Sequence, residues 1–294
     1  MLNIDEFLKY LSCELNSSQR TVDSYARDLK SFEAFFKNLS DSLSWETVDS
    51  DVIRNWMESM MDRGNKASSV SRRLSSLRTF YRYALARNLV KSDPAHKILP
   101  PKKEKPLPQF LKESEMNNLL DGQKWGDDYN NVRARTIIVT FYETGLRLSE
   151  LVSLDDESVD FINKEIKVTG KGNKQRVIPF GSELFETLNS YMRLRDLTVD
   201  RNSPALFLSN KGQRISRAAV SKIVKESLSR VSTLKKKSPH VLRHTFATAM
   251  LNHDAGIESL KQLLGHANLS TTEIYTHTTF EQLKRVYTEA HPRA

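Results

Sequence analysis

The sequence predicts a mainly α-helical protein with two domains, the second of which contains a small antiparallel β-sheet. Apolar residues recur at spacings of three and four along most of the chain, which is typical of amphipathic helices. Three short segments with strand signals between residues 159 and 179 are separated by strong turn sequences. A chain of 294 residues also exceeds what one core usually organises. We therefore expect a helical domain (1–98), a linker (99–108) and a larger domain (109–294).

Helical periodicity predicts four helices in the first domain. They are expected at residues 4–15, 19–37, 49–61 and 67–87. Ser17 or Ser18 suits the N-cap of the second helix because its hydroxyl can accept a hydrogen bond from a free backbone N–H. Each helix carries one apolar face, so we expect the four helices to share a core.

The fourth predicted helix separates an apolar side from a side of arginines and hydroxyls. The apolar side consists of Val70, Leu74, Leu77, Tyr81 and Ala84. The opposite side is expected to present Arg72, Ser76, Thr79 and Tyr83, flanked by Arg82 and Arg87. Arginines mixed with hydroxyl side chains are typical of surfaces that contact phosphates.

Positive charge is concentrated around this helix. The chain has 45 Lys and Arg against 36 Asp and Glu, a net charge of +9. Residues 66–105 contain 11 of these bases and 2 of the acids, so this window accounts for the whole net charge. Such clustering indicates a surface for a polyanion. A membrane surface is the alternative for a basic helix, but the apolar side is expected in the core, which favours nucleic acid.

The predicted linker, residues 99–108, contains four prolines, which exclude a regular helix and favour an extended chain. Its basic residues are Lys102, Lys103 and Lys105. An extended basic segment can follow a phosphate backbone. Two domains joined in this way would close around a duplex as a clamp.

The second domain is predicted to contain helices before and after the three strands in the sequence. The strands are expected at residues 159–161, 165–169 and 175–179, and the helices at 111–120, 131–143, 183–197, 217–231, 239–252, 257–264, 271–276 and 280–290. Gly145 ends the second of these helices. A turn at residues 170–173 places Lys171 at the tip of a hairpin.

Residues 238–275 contain four side chains suited to chemistry on a phosphate: His240, Arg243, His266 and Tyr275. Ser238 is a good N-cap and Pro239 fits the first helical position, so His240 and Arg243 share one face of the first turns. The N-terminus of a helix favours an anion. Because the tyrosine is a possible nucleophile, this stretch predicts a phosphoryl-transfer site.

Five motifs now occur in one order along the chain. They are Thr-Gly-Leu-Arg-Leu-Ser-Glu at 144–150, Gly-Lys-Gly-Asn-Lys at 170–174, His-x-x-Arg-His at 240–244, Leu-Gly-His at 264–266, and Tyr275. Each motif alone is common, but the ordered set is specific. Over essentially its whole length, the chain resembles the tyrosine recombinase (phage integrase) family, in particular its short Xer-type site-specific recombinases.

The resemblance implies that Tyr275 attacks a DNA phosphodiester and leaves a 3′-phosphotyrosine. Arg147 and Arg243 would then stabilise the charge on the non-bridging oxygens, which guanidinium groups do with paired hydrogen bonds. His240 and His266 would donate to the same oxygens or handle the tyrosine proton.

Two further roles follow from the same resemblance. Lys171 would protonate the departing 5′-oxygen, and Glu150 would support and orient the site. The covalent intermediate keeps the energy of the phosphodiester, so no nucleotide cofactor is expected. Neither a metal site nor any other cofactor is predicted.

The expected partner is double-stranded DNA, bound by a homotetramer or by a heterotetramer with a second recombinase. The family's C-terminal helix typically docks on a neighbouring subunit, which an amphipathic helix at 280–290 would allow, and the alternative is that this helix packs within its own chain. Chromosome dimer resolution is the first expected role, and the integrase or invertase of a mobile element is the second. A type IB topoisomerase, or a DNA-binding module without activity, is less favoured.

Composition indicates the cellular compartment in which the protein is expected. No apolar run approaches the roughly 20 residues of a membrane-spanning helix, and the N-terminus lacks a secretory pattern. The single cysteine, Cys13, excludes an internal disulfide and fits a reducing compartment. We therefore expect a cytoplasmic protein that does not associate with membranes.

Overall fold

The computed structural model describes most of the chain, with the backbone alone at positions 280 and 281. The described residues are 2–102, 108–170, 174–265 and 280–294. They form two compact units, Met1–Pro106 and Leu107–Ala294. The division lies within the proline-rich segment 99–108.

The described residues of the first unit form four helices. They are α1 (Ile4–Cys13), α2 (Gln19–Leu39), α3 (Ser50–Asp62) and α4 (Ala67–Ala86). The predicted helices are confirmed, and Ser18 caps α2 by accepting a hydrogen bond from the backbone N–H of Thr21. Helix α1 ends two residues earlier than expected because Asn16 adopts a left-handed conformation with φ of 45°.

An aromatic cluster fills the core of this unit. The Phe32 ring lies 4.9 Å from Trp56 and 5.7 Å from Trp45, and Trp45 lies 4.6 Å from Phe80. The predicted apolar side of α4 is buried throughout. Tyr83 was expected on the opposite, exposed side, and this is wrong. Its ring packs against α1, 4.8 Å from Tyr10, because α4 is covered on more than one side.

The second unit places a three-stranded sheet among helices. The strands are β1 (Val159–Asp160), β2 (Glu165–Thr169) and β3 (Gln175–Pro179), and the helices are α5 (Glu113–Asn117), α6 (Tyr129–Thr144), α7 (Leu148–Ser153), α8 (Ser182–Thr198), α9 (Arg217–Ser229), α10 (Pro239–Asn252), α11 (Ile257–Leu264) and α12 (Phe280–Ala290). The sheet is antiparallel with the order β1-β2-β3. The predicted mainly helical fold with a small sheet is therefore confirmed.

Two elements differ from the prediction at the start of this unit. The chain is not helical at Leu111, whose backbone N–H donates to Thr245 Oγ1 at 2.9 Å. Helix α5 therefore begins at Glu113, and it continues into a π-helical turn at Asn118–Gly122. The short helix α7 was not predicted as an element, because six residues are too few for periodicity to be visible.

Helix α6 is the central element of the second unit. It packs against α8, α9 and α10, and residues on all its sides are buried, including Ile137, Ile138 and Phe141. A helix that is covered all round has a rigid position. The chain that leaves its C-terminus is therefore well placed to begin a functional site.

The C-terminal helix α12 packs within its own chain, against α10, α11 and β3. Tyr287 is buried and its hydroxyl donates to Glu143 Oε2 at 3.2 Å. The ring of the buried His291 stacks on Tyr287 at 5.2 Å. In the single chain, the apolar face of α12 therefore packs against its own core, and docking of this helix on a neighbouring subunit stays a prediction.

Candidate active site

A left-handed glycine ends α6 and turns the chain into the site. Gly145 has φ of 58°, and its N–H donates to Phe141 O at 3.0 Å. A Cβ at this position would lie 2.5 Å from Phe246 Cδ1. Both the backbone conformation and the close packing require glycine here. Arg147 follows at the N-cap position of α7.

Glu150 folds back from the first turn of α7 onto Arg147. Its Oε2 accepts from the Arg147 backbone N–H at 2.8 Å, and its Oε1 accepts from Arg147 Nη1 at 2.7 Å. Glu150 is buried, with 3% of its surface exposed, whereas the side chain of Arg147 is 33% exposed. The carboxylate therefore fixes one side of a guanidinium that still reaches the surface.

Arg243 approaches the same place from α10. Its Nη1 donates to Gly145 O at 2.6 Å and its Nη2 donates to Leu264 O at 2.7 Å. Arg147 Nη2 donates to the next carbonyl, Gly265 O, at 2.9 Å. The two arginines singled out in the sequence are thus brought together at the end of α11. The following residue in the sequence is His266.

Arg176 on β3 is the third arginine of this cluster, although its place in the sequence suited an exposed strand entry as well as a phosphate contact. Its Nε donates to Leu263 O at 2.8 Å, and its two Nη atoms donate to Glu150 at 3.0 and 2.9 Å. Strand alternation was the available signal. Arg176 lies two residues before the buried Ile178 and therefore faces the same side of the sheet.

Three consecutive carbonyls at the end of α11 therefore each accept a hydrogen bond from a different arginine. The acceptors are Leu263, Leu264 and Gly265. The C-terminus of a helix carries partial negative charge and unpaired carbonyls, so guanidinium groups stabilise it. We call Arg147, Arg176, Arg243 and Glu150 the arginine cluster.

The electrostatics of this cluster favour a bound anion. Burial would raise the pKa of Glu150, but hydrogen bonds from Arg176 and Arg147 lower it to about 2. Burial, together with the nearby charge of Arg147, lowers the pKa of Arg243 to about 10. One carboxylate therefore faces three guanidinium groups. The excess positive charge in a partly buried place would attract a phosphate.

His240 lies exposed on the first turn of α10. Burial of part of the ring and the positive charges of Lys236, His244, Arg243 and Arg147 lower the pKa of its imidazole. The ring is therefore mainly neutral at pH 7, with one nitrogen able to donate and the other able to accept a proton.

Ser238 occupies the N-cap position of α10, but its side chain makes no capping hydrogen bond, which corrects that part of the prediction. Its Oγ is buried without a partner among the described residues. The start of α10 is instead defined by Pro239 at the first helical position.

Three predicted catalytic residues lie outside the described residues: Lys171, His266 and Tyr275. Two described glycines beside them approach the arginine cluster. A Cβ on Gly170 would lie 3.6 Å from Glu150 Oε1, and one on Gly265 would lie 3.0 Å from Arg176 Nη1. Among the described residues, no group of three or more His, Cys, Asp or Glu side chains could hold a metal ion.

In the first unit, a buried carboxylate draws two predicted DNA-contacting residues inward. Arg72 Nη2 donates to Asp28 Oδ1 at 2.8 Å, and Arg72 Nη1 contacts Asp28 Oδ2. The hydroxyl of Ser76 donates to Asp28 Oδ2 at 2.7 Å. Because Ser76 is fully buried, the prediction that it faces DNA is wrong. Arg72 keeps 48% of its side chain exposed.

The other predicted DNA-contacting residues occupy varied positions. Thr79 is half-buried and donates to Ser75 O at 2.9 Å, whereas Arg82 and Lys102 are exposed. Arg87 is exposed but paired with Glu14 at 2.6 Å, and it stacks over a tyrosine ring. Lys103 and Lys105 lie outside the described residues.

In the part of the chain that the structure describes, no helix has the length and apolarity needed to cross a membrane.

Comparison with known proteins agrees with this geometry. Residues 109–282 match the phage integrase family, and residues 4–88 match the phage integrase N-terminal SAM-like domain. Tyrosine recombinase XerC of Pelotomaculum thermopropionicum is 38% identical over 100% of this chain and 99% of its own length. Tyrosine recombinase XerC of Chlorobaculum tepidum is 37% identical over 99% of this chain and 94% of its own length.

A solved structure shares the fold. The XerH site-specific recombinase, bound to a palindromic difH substrate in a post-cleavage complex, matches with a TM-score of 0.70 at 22% identity. The match covers 97% of this chain and 83% of that one. With full-length relatives well above 30% identity and family matches to both units, the chain belongs to the phage integrase family and, within it, to the Xer-type tyrosine recombinases.

Proposed function

We propose that this chain cleaves and rejoins double-stranded DNA at a specific site through a 3′-phosphotyrosine on Tyr275. The observation that carries the proposal is the meeting of Arg147 and Arg243 at the end of α11. Two guanidinium groups from distant segments converge there, directly before His266 in the sequence. Two guanidinium groups held close together suit the stabilisation of a transferring phosphoryl group.

In the proposed reaction, the Tyr275 oxygen attacks phosphorus and the bond from phosphorus to the 5′-oxygen breaks. Arg147 and Arg243 stabilise the negative charge that builds on the non-bridging oxygens. Lys171 supplies the proton to the departing 5′-oxygen. Rejoining reverses these steps: a 5′-hydroxyl attacks the phosphotyrosine and the tyrosine oxygen leaves. No nucleotide cofactor is consumed.

His240 and His266 are proposed to act on the same phosphate. The neutral imidazole of His240 can accept the proton of Tyr275 or donate to a non-bridging oxygen. Glu150 is proposed to hold Arg147 in the orientation that the phosphate requires, since it contacts both the backbone and the side chain of that arginine.

The first unit is proposed to bind the duplex, with Arg82 and Lys102 as exposed contacts and Arg72, Thr79 and Arg87 as partial ones. Lys103 and Lys105 extend this surface in the sequence. We further propose a tetramer on two duplexes, either of this chain alone or with a second recombinase. Exchange of α12 between subunits would require Tyr287 and His291 to leave their present partners.

Chromosome dimer resolution in the cytoplasm is the proposed cellular role. The support is similarity to XerC recombinases along the entire chain. Covalent trapping of the protein on genomic DNA, followed by sequencing, tests this role. We expect one dominant chromosomal site, whereas sites at the ends of a mobile element would indicate an integrase.

A nicked duplex carrying such a trapped sequence tests the chemistry. We expect Tyr275→Phe to bind this duplex with an unchanged Kd but to form no covalent adduct. Tyr25→Phe, in the first unit, is the matched control and should form the adduct as the wild type does. An adduct that persists in Tyr275→Phe would remove this tyrosine as the nucleophile.

A further inference from the structure

We propose that Arg176 is a positioning residue for DNA cleavage, acting through Glu150 and through the end of α11. This inference rests on the proposed function of the arginine cluster. Arg176 orients two things that the reaction needs: the Arg147 guanidinium and the chain that leads into His266. It was not among the residues that the family resemblance implied.

The guanidinium of Arg176 is turned inward. Its Nη1 and Nη2 form a bidentate pair with Glu150 at 3.0 and 2.9 Å, and its Nε is bound to Leu263 O. Only 14% of the side chain is exposed, against 33% for Arg147. All three guanidinium nitrogens of Arg176 are thus engaged within the protein, an arrangement that holds its neighbours in place.

Glu150 is shared evenly between the two arginines. Oε1 accepts from Arg147 Nη1 and Arg176 Nη1, while Oε2 accepts from the Arg147 backbone and Arg176 Nη2. The two bonds to Arg147 need one particular plane of the carboxylate. Because the bidentate contact from Arg176 fixes that plane, it also fixes the direction of the Arg147 guanidinium.

Arg176 also ties the hairpin to the site. It lies on β3 opposite Val168 of β2, and the connection between these strands contains Lys171. The chain at Gly265 passes directly over it, since a Cβ there would lie 3.0 to 3.2 Å from the guanidinium. One side chain thus joins the hairpin, the start of α7 and the end of α11.

A lysine cannot reproduce this arrangement, because an ammonium is a point charge without a planar fork. At saturating enzyme, we expect Arg176→Lys to slow single-turnover cleavage of the nicked duplex carrying the trapped sequence by about 100-fold, the cost of misplacing a reacting group by about 1 Å. The Kd for the same duplex should change by less than about threefold, since the charge is retained.

Arg195→Lys is the matched control. Arg195 is fully buried, pairs with both oxygens of Asp156 at 2.7 and 2.9 Å and donates to Leu206 O, so it makes the same kinds of contact away from the site. We expect it to lower the Tm without slowing cleavage below the Tm. Equal slowing by both lysine variants would show that Arg176 acts only on general stability.

A double-mutant comparison with Glu150→Gln provides a second test, because it compares the effect of Arg176→Lys in two backgrounds. If Arg176 acts through Glu150, then Arg176→Lys should slow the Glu150→Gln protein much less than it slows the wild type. Additive slowing in the double variant would overturn the proposal. Wild-type cleavage by Glu150→Gln alone would do the same.

The pH profile separates positioning from a loss of folded protein. Arg176→Met removes the principal group that lowers the pKa of Glu150, so Glu150 should become protonated at a higher pH and the cleavage rate should fall at a higher pH than in the wild type. A uniform loss at all pH values would contradict the proposal. If a variant that lacks Tyr275 still forms the covalent adduct at the wild-type level, the proposed function is wrong. This inference, which rests on it, is then wrong as well.

Discussion

Arg147 Nη2 donates a 2.9 Å hydrogen bond to the carbonyl oxygen of Gly265, the residue before His266. The arginine begins α7 and the glycine ends α11, so this single contact joins two segments far apart in the sequence. A charged donor at a helix C-terminus stabilises that end. Arg147 therefore organises the chain near His266 in addition to presenting its own charge.

This contact leads to a prediction for Arg147→Lys. A lysine cannot donate hydrogen bonds to Glu150, to Gly265 O and to a phosphate at the same time. The rate of cleavage of the nicked duplex should therefore fall by about 100-fold or more. DNA binding, measured by a gel-shift titration, should weaken less than about threefold. Arg214→Lys is the matched control, since its side chain is also 33% exposed and bound to a carboxylate, Asp155. Parallel losses of binding and cleavage would indicate a structural role for Arg147.

The turn after α6 predicts a large difference between two glycine substitutions. Gly145→Ala should destabilise the protein by about 2–4 kcal/mol, because it adds a left-handed alanine and a Cβ 2.5 Å from Phe246. Gly256→Ala should cost less than about 1 kcal/mol, since φ is −58° and nothing lies within 4 Å of its Cβ. Urea unfolding of both variants measures this. Similar midpoints would mean that the turn relaxes easily.

A buried carboxyl predicts how stability depends on pH. Burial raises the pKa of Glu143 from 4.5 to about 8, although Gly181 N and the Tyr287 hydroxyl donate to it. Between these two values the folded state binds a proton that the unfolded state has lost. The contribution of Glu143 to the free energy of unfolding therefore falls as pH rises, by up to about 1.4 kcal/mol per pH unit.

Glu143→Gln removes this titration and should flatten the change in free energy of unfolding between pH 5 and 8. Urea unfolding at a series of pH values measures it. Glu186→Gln is the control because Glu186 is exposed on α8, and it should keep the wild-type slope. An unchanged slope in Glu143→Gln would mean that another group is responsible.

Two residues of α4 in the first unit are predicted to affect different properties, since one contributes to stability and the other to DNA binding. Ser76→Ala loses a buried hydrogen bond to Asp28 and should destabilise the protein by about 1–3 kcal/mol while leaving DNA affinity unchanged. Arg82→Ala removes an exposed charge, so it should weaken DNA binding and reduce the salt slope by about one. Loss of affinity in Ser76→Ala without unfolding would contradict the inward placement of Ser76.

Much of the fold is encoded locally and could be predicted from the sequence. The limits of β2, β3, α10 and α11 agree with the prediction because periodicity, turn residues and Pro239 are all local signals. Ser18 was predictable as a cap for the same reason. The left-handed Gly145 also follows from local chemistry, since a glycine at the end of a helix usually adopts this conformation.

The sequence by itself determined most of the helices, the strands and the identity of the two arginines, Arg147 and Arg243. Only the tertiary structure decided which partners the polar and charged side chains bind. Arg176 meets Glu150 and Leu263, and Ser76 turns to Asp28, through contacts between segments that are distant in the chain. Periodicity indicates which face of a helix or strand is buried, but it carries no information about which polar partner another segment brings to that face.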